Sequence, residues 1–159
     1  MDLITHLPKT KKGYGSLLVI VDYLTKMIVT RPTYGTATAV DIAKLFVDSV
    51  VRVHGLPRTI VSDRDRKFTS NFWKEVFKNM GTTLAMSSGF HPQTDGQTER
   101  ANRTIEEILR AYVGKRQNNW DKRLGMMEFA YNNAVNSSIG FTPFYLCYGR
   151  HPVKTQQIF

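Results

Sequence analysis

The sequence of 159 residues contains a single cysteine, Cys147. One thiol cannot build a disulfide framework within the chain, and it excludes the zinc sites that need two to four thiolates. This scarcity of cysteine favours a reducing, intracellular compartment. We interpret Cys147, which stands between Leu146 and Tyr148, as a buried and inert thiol.

The sequence also has no long hydrophobic run. Its longest apolar stretch, residues 17–21, has the length of a strand and is followed at once by Asp22. A membrane helix needs about 20 apolar residues, so we expect no membrane span, and no signal peptide is visible. With 42% hydrophobic and 11% aromatic residues, the chain has enough apolar surface for the core of one globular domain.

Acidic residues are scarce compared with basic ones. There are 13 Asp and Glu against 22 Lys and Arg, a net charge of +9, and the sequence pI is about 9.8. Such an excess favours polyanionic partners, with nucleic acid first among them. A role of the charge in solubility alone stays open at this point.

The apolar patterns predict an α/β fold, a mixed sheet flanked by helices. Residues 1–4 have the pattern of the end of a strand whose beginning is missing, because strands usually have five or six residues. A buried strand is predicted over residues 16–24, with its antiparallel neighbour over residues 25–30. Two further short strands are expected at residues 59–62 and 82–86.

Helices are predicted from three- and four-residue spacing of apolar positions and from capping residues. The first starts at Thr36 as N-cap and ends at Gly55, and the second runs from Ser70 to Gly81. A polar loop over residues 87–96 precedes the third helix. The predicted ranges of the last three helices are 98–113, 120–133 and 142–148.

Three carboxylates, Asp2, Asp63 and Glu99, are the candidate site. Asp2 and Asp63 lie at the ends of predicted strands, and Glu99 lies at the start of a predicted helix, directly after a loop. Carboxylates brought together repel one another unless a divalent cation neutralises them, and an oxygen-only ligand set selects Mg²⁺ or Mn²⁺. Such a cluster is typical of two-metal phosphoryl transfer. Taken singly, each carboxylate is also typical of a solvated surface or a turn, and Asp22 either edges the site or caps a hairpin.

The helix over residues 98–113 has a polar and an apolar face. Ile105 lies on the apolar face, whereas Glu99 and Arg103 lie on the opposite one. A solvated charged stripe would have the same pattern, but Arg103 lies one turn from the candidate metal site, where a phosphate must dock. The other candidate DNA-binding residues are Gln97, Arg100, Asn102, Arg64 and Lys67. Later basic residues could extend this track, namely Lys115, Arg116, Lys122 and Arg123.

Four segments resemble the catalytic core of integrases from retroviruses and long-terminal-repeat retrotransposons, above all the gypsy type. They are MDLITHLPKT at the start, SDRDRKFTSNFWKEVF, FHPQTDGQTERANRTIEEILR and GFTPFYLCYGRHP. Asp63 and Glu99 are separated by 35 residues, the spacing of the family's aspartate-aspartate-glutamate signature. The resemblance covers essentially the whole chain.

This resemblance implies a ribonuclease H-like fold with a five-stranded mixed sheet. It implies metal-dependent trimming of element DNA ends and transfer of the resulting 3′-hydroxyl into target DNA. Asp2, Asp63 and Glu99 would be the ligands of two Mg²⁺ or Mn²⁺ ions. The implied partners are double-stranded DNA and a second copy of the chain within a larger assembly, and the implied location is the nucleus.

We expect residues 1–159 to be one catalytic core that begins within its first strand, without the family's zinc-binding or C-terminal DNA-binding module. Two other functions stay open. A ribonuclease H or transposase would share the fold, although the HPQTDGQTER segment argues against the ribonuclease. A domesticated integrase-like protein would bind DNA or a protein without catalysis.

Overall fold

The computed structural model describes most of the first half of the chain and a continuous segment near its end. The described residues are 1–62, 68, 74, 77, 78, 80–86, 103, 105, 107 and 117–153. Strands and helices are numbered below in the order in which these residues contain them. The longest described α-helix has ten residues, and none in this part of the chain is long and apolar enough to cross a bilayer.

Three antiparallel strands form one sheet in the order β1-β2-β3. They are β1 (Asp2–Ile4), β2 (Ser16–Val21) and β3 (Ile28–Thr33). Two parallel strands, β4 (Thr59–Ser62) and β5 (Thr83–Met86), form a second ladder. The fifth strand thus begins one residue later than predicted.

A hydrogen bond connects these two ladders. The Met1 amino group donates to the carbonyl oxygen of Val61 in β4 over 2.6 Å. The described residues contain no strand ladder between β1 and β4, so a continuous five-stranded sheet stays a prediction.

The β2–β3 turn corrects two predicted strand boundaries. Strand β2 ends at Val21 rather than at residue 24, and β3 begins at Ile28 rather than at residue 25. The reason is the Asp22 carboxylate, whose Oδ2 accepts hydrogen bonds from the backbone N–H and the hydroxyl of Thr25 at 2.8 and 2.6 Å. This local bonding replaces the strand ladder with a turn.

The first helix begins at a different threonine from the predicted one. Helix α1 (Ala39–Phe46) is capped by Thr38, so the prediction of Thr36 as N-cap is wrong. Thr38 is favoured because Asp41 stands three residues after it, and the two residues bond reciprocally in a capping box. The helix continues through a π-helical turn (Val47–Val51) and α2 (Arg52–His54). It ends at Gly55 with φ of 80°, as predicted.

The predicted helix over residues 120–133 is divided in the structure. A 3₁₀ segment (Gln117–Lys122) contains Trp120, and helix α3 (Leu124–Asn133) follows it. Helix α4 (Pro143–Tyr148) is as predicted, with Thr142 as its N-cap and proline in its first turn. Of the predicted 70–81 helix, Lys74, Phe77 and Lys78 are helical, while Ser70 and Trp73 lie outside the described residues.

The antiparallel sheet is covered on both faces, because the side chains of each strand alternate between two clusters. Leu18 belongs to the α1 cluster, which we define by its buried members Met1, Leu3, Leu18, Ala37, Ile42, Ala43, Phe46, Ile60, Phe68 and Phe77. Leu17 and Val19 belong to the Ile105 cluster on the opposite face, with Ile4, Ile28, Ile105, Trp120, Leu124 and Met127. The sheet therefore lies between two helical layers.

The outer edge of β3 is covered by polar side chains of α3. The side-chain amide of Asn132 accepts from the Ile28 N–H and donates to the Ile28 carbonyl, both over 2.9 Å. One helical turn earlier, Glu128 accepts from the N–H of Thr30 over 2.7 Å. The next outward position on the strand is Pro32, which has no N–H. Its presence fits an edge strand.

Candidate metal and nucleic-acid site

Asp2 is the one predicted metal ligand that the described residues contain. It is the first residue of β1, it is half-buried, and it lies opposite Val19 of β2. Its Oδ1 accepts a hydrogen bond from the N–H of Leu3 over 2.7 Å. Because side chains alternate along a strand, Asp2 is on the same sheet face as Ile4. This is the face of the Ile105 cluster.

Three residues of the helix predicted over 98–113 are described, and one of them, Ile105, packs on that same face. Ile105 is fully buried against Ile4, Val19 and their neighbours, whereas Arg103 and Glu107 are exposed. The predicted division into an apolar and a polar face is therefore confirmed at Ile105 and Arg103. Asp2 and Arg103 belong to two elements that meet across one shared hydrophobic cluster.

The other predicted ligands, Asp63 and Glu99, lie outside the described residues. The described chain before Asp63 ends at Ser62, and Val61 is the acceptor of the Met1 amino group. No group of three metal-ligating side chains occurs among the residues that the structure describes. Five of the six predicted DNA-binding residues also fall outside them, namely Gln97, Arg100, Asn102, Arg64 and Lys67.

Asp22, the rival acid, has a structural role in the hairpin. Both hydrogen bonds of its Oδ2 go to Thr25, and its backbone carbonyl accepts from the N–H of Lys26 over 2.9 Å. Of the two interpretations left open by the sequence, the structure therefore supports a turn cap. Asp22 also lines a cavity of about 380 Å³ between the ends of β2 and β4, but the lining is mostly apolar and unsuited to a divalent cation.

Trp120 and Cys147 have different environments. Trp120 is buried, and its indole N–H donates to the carbonyl of Pro8 over 2.8 Å. Cys147 is only half-buried, so the prediction that it is buried is wrong. Burial nevertheless raises the pKa of the Cys147 thiol, which keeps it protonated near neutral pH and weakly nucleophilic.

Sequence reasoning missed how the loop between β1 and β2 is held. Lys9, Lys11 and Lys12 are exposed on this loop, and the backbone N–H of Lys11 donates to the carbonyl of Asn118 over 3.1 Å. The lysines are visible in the sequence as a basic run. Their attachment to a segment more than a hundred residues away has no local sequence signal.

Comparison with known proteins identifies the class. The sequence profile of the integrase core domain matches residues 1–92. The transposon Tf2-3 and Tf2-4 polyproteins of Schizosaccharomyces pombe are each 37% identical over 152 residues, which is 96% of this chain. The chain spans only 11% of the length of these polyproteins.

Solved structures agree on the fold. The catalytic core domain of BIV integrase has 19% sequence identity and a TM-score of 0.70, with 91% of each chain covered. The HTLV-2 integrase core in complex with magnesium, in its trimeric form, has 20% identity and a TM-score of 0.70 over 90% of this chain and 91% of that one. A simian T-cell lymphotropic virus intasome in complex with a PP2A regulatory subunit has 19% identity and a TM-score of 0.73, covering 92% and 54%.

The sheet between two helical layers is thus a ribonuclease H-like fold of the kind found in integrase catalytic cores. The chain belongs to the integrase core domain family. This family consists of polynucleotidyl transferases that serve DNA integration, and the similar polyproteins are those of transposons.

Proposed function

We propose that this chain is the catalytic core of a retrotransposon integrase. It would hydrolyse a phosphodiester bond near the 3′ end of element DNA and join the new 3′-hydroxyl to target DNA. The observation that carries this proposal is the position of Asp2 on the sheet face that packs against the helix of Arg103 and Ile105. Glu99 precedes the exposed Arg103 by four residues in the sequence, so it would lie about one turn before Arg103 if the predicted helix extends to it.

The start of β1 and the end of β4 supply a second argument. Met1 is bound to Val61, and Ile60 belongs to the α1 cluster on the other face. If the chain stays extended after Val61, alternation directs Asp63 to the face of Asp2. Three carboxylates contributed by two strands and one helix would then converge at one edge.

The donor set fits a hard divalent cation. Asp2, Asp63 and Glu99 provide only carboxylate oxygens, which suit Mg²⁺ or Mn²⁺ and do not suit zinc. Two such ions would supply Lewis-acid stabilisation of the charge that develops during phosphodiester cleavage and transfer. The structure of the similar HTLV-2 core in complex with magnesium is consistent with this choice.

Basic and amide side chains near the carboxylates would hold the substrate. Arg103 is exposed on the helix that covers the Asp2 face, so its guanidinium can bind a backbone phosphate. We propose the same role for Gln97, Arg100, Asn102, Arg64 and Lys67. Such contacts position DNA without reading its sequence.

The proposed substrate is double-stranded DNA, both element ends and chromosomal target, so the site of action would be the nucleus. Similar cores occur in dimeric and trimeric forms, and one similar chain is part of an intasome. We therefore propose that this chain forms a homodimer within a larger integrase assembly.

The test compares carboxylate variants in disintegration of a branched DNA substrate with Mn²⁺. Asp2→Asn and Glu99→Gln should each abolish activity and leave salt-sensitive DNA binding nearly unchanged. Asp22→Asn and Glu107→Gln are the matched controls, since each removes one carboxylate from a turn or from an exposed helix position. Both controls should keep wild-type activity.

Full activity of Asp2→Asn or Glu99→Gln would contradict the assignment of the metal ligands. Wild-type protein that binds DNA but shows no activity with Mg²⁺ or Mn²⁺ would instead identify a non-catalytic, domesticated integrase-like protein.

A further inference from the structure

We propose that the β1–β2 loop, residues 5–15, is a preorganised surface that binds the phosphate backbone of duplex DNA beside the carboxylate site. We call it the lysine loop. This inference rests on the proposed function for the identity of its ligand. It extends that function to a surface separate from the catalytic carboxylates and from Arg103.

The lysine loop is ordered by its own hydrogen bonds. The Leu7 N–H donates to the Gly15 carbonyl over 3.0 Å, and the Thr10 N–H donates to the Tyr14 carbonyl over 2.9 Å. Thr10 is buried, and its hydroxyl accepts from the Tyr14 N–H over 3.2 Å. Gly13 provides the positive φ of 85° that the turn requires. The backbone is therefore fixed while the lysine side chains point to solvent.

Two long-range bonds attach the loop to the 3₁₀ segment. The indole N–H of Trp120 donates to the Pro8 carbonyl over 2.8 Å, and the Lys11 N–H donates to the Asn118 carbonyl over 3.1 Å. Leu7 and Tyr14 pack against the Ile105 cluster, of which Trp120 is a member. The loop is thus anchored to the same hydrophobic cluster as the helix that carries Arg103.

The charge of this surface is strongly positive. Residues 5–15 contain three lysines and no acid. The exposed Lys122 ends the attached 3₁₀ segment, in which Asp121 is the single acid, and the exposed Arg123 follows it directly. Within the described part of the chain, none of these five basic side chains forms an ion pair, and the salt bridge found there joins Arg31 and Glu128. Five basic side chains with one acid among them favour a polyanionic partner.

Duplex DNA matches this surface in spacing and in position. The three residue steps from Lys9 to Lys12 span at most about 10 Å. Along about 10 Å of its axis a duplex carries roughly six negative charges, so several phosphates can meet the loop at once. Asp2 belongs to β1, and the loop starts directly after that strand. DNA bound at Asp2 would therefore continue over the lysine loop.

The experiment compares two triple variants of equal charge. Lys9→Gln, Lys11→Gln and Lys12→Gln are combined in one protein. Lys44→Gln, Arg52→Gln and Arg58→Gln are combined in the control, which removes three charges from α1, α2 and the segment before β4. Affinity for a random-sequence duplex is measured by fluorescence anisotropy at several salt concentrations, and circular dichroism checks that both proteins are folded.

We expect the slope of log affinity against log salt to become shallower by up to about 2.7 in the lysine-loop variant, about 0.9 for each lost phosphate contact. The control triple should keep the wild-type slope. A Trp120→Phe variant keeps all the charges but removes the bond to Pro8, and it should bind duplex DNA several-fold more weakly with a similar slope.

Equal slopes in the two triple variants would overturn this inference, and so would a change seen with single-stranded RNA and not with the duplex. Neither result would affect the assignment of the carboxylates, which is tested by Asp2→Asn. Conversely, the Asp2→Asn protein could stay active while the lysine-loop variant shows the shallower salt dependence of DNA binding. That pair of results would refute the proposed catalytic site and would support the lysine loop as a DNA-binding surface.

Discussion

At the scale of single residues, Asn132 shows how one side chain can complete a sheet edge. It is 1% exposed, and its amide bonds both the N–H and the carbonyl of Ile28. These two backbone groups point away from β2, so they would otherwise be buried without partners. Nothing in the local sequence marks Asn132 for this role, because its contact partner is 104 residues away.

We expect Asn132→Leu to lower the free energy of unfolding by about 2–4 kcal/mol, because it leaves a buried donor and a buried acceptor unpaired. Asn133→Leu is the matched control. Asn133 is half-buried on the same helix, and its replacement should change stability by no more than about 0.5 kcal/mol. Urea titrations followed by tryptophan fluorescence measure both values, and equal effects would contradict the role given to Asn132.

At the scale of secondary-structure elements, the start of a helix can be predicted when the N-cap residue and the residue three positions after it are considered together. The sequence pattern predicts Thr36 as the N-cap of the first helix. The structure selects Thr38, because Asp41 stands in the third helical position. Apolar periodicity correctly predicted that Ile105 is buried and that Arg103 is exposed. It cannot detect the hydrogen bonds between Asp22 and Thr25, which form the turn and shift both strand boundaries.

Thr38→Ala should therefore destabilise the protein by about 1 kcal/mol, whereas Thr36→Ala should have little effect. The Asp41 carboxylate adds a pH dependence. Hydrogen bonds from the Thr38 backbone N–H and hydroxyl hold the pKa of Asp41 below its ordinary value of 3.8. Its contribution to stability is fully present above pH 3.8 and is lost as the pH falls through the folded-state pKa.

Thermal unfolding at pH 7 compares the two threonine variants. For Asp41, the difference in stability between wild type and Asp41→Asn should be largest near neutral pH and should shrink below pH 3.8. An equal loss in Thr36→Ala and Thr38→Ala, or a difference that grows in acid, would contradict the capping box.

At the scale of the whole molecule, the order of the described strands and helices followed from the sequence, and the predicted α/β fold with helices flanking the sheet is confirmed. The continuous five-stranded mixed sheet stays a prediction. What did not follow was the set of connections between distant segments, such as Met1 with Val61 and Pro8 with Trp120. These are single hydrogen bonds between regions that have no shared periodicity. Only the packing of the complete chain creates them.

A divalent cation should stabilise the folded protein if the carboxylates form one site, because a ligand that binds only the native state adds to its stability. We expect the unfolding temperature of wild type to rise with increasing Mn²⁺ and to return to its original value with a chelator. Asp2→Asn should show no rise, and Asp22→Asn should behave as wild type. An equal rise in all three proteins would indicate non-specific binding.

The covered edge of β3 limits how copies of this protein can meet. The backbone N–H groups of Ile28 and Thr30 donate to the side chains of Asn132 and Glu128. The Arg31 guanidinium donates to the Thr30 carbonyl, and Pro32 has no N–H. A neighbouring molecule finds no free row of donors and acceptors there, so fibre-like stacking from this side is blocked. If copies of this chain assemble on DNA as proposed, they would therefore not do so by extending the sheet at β3.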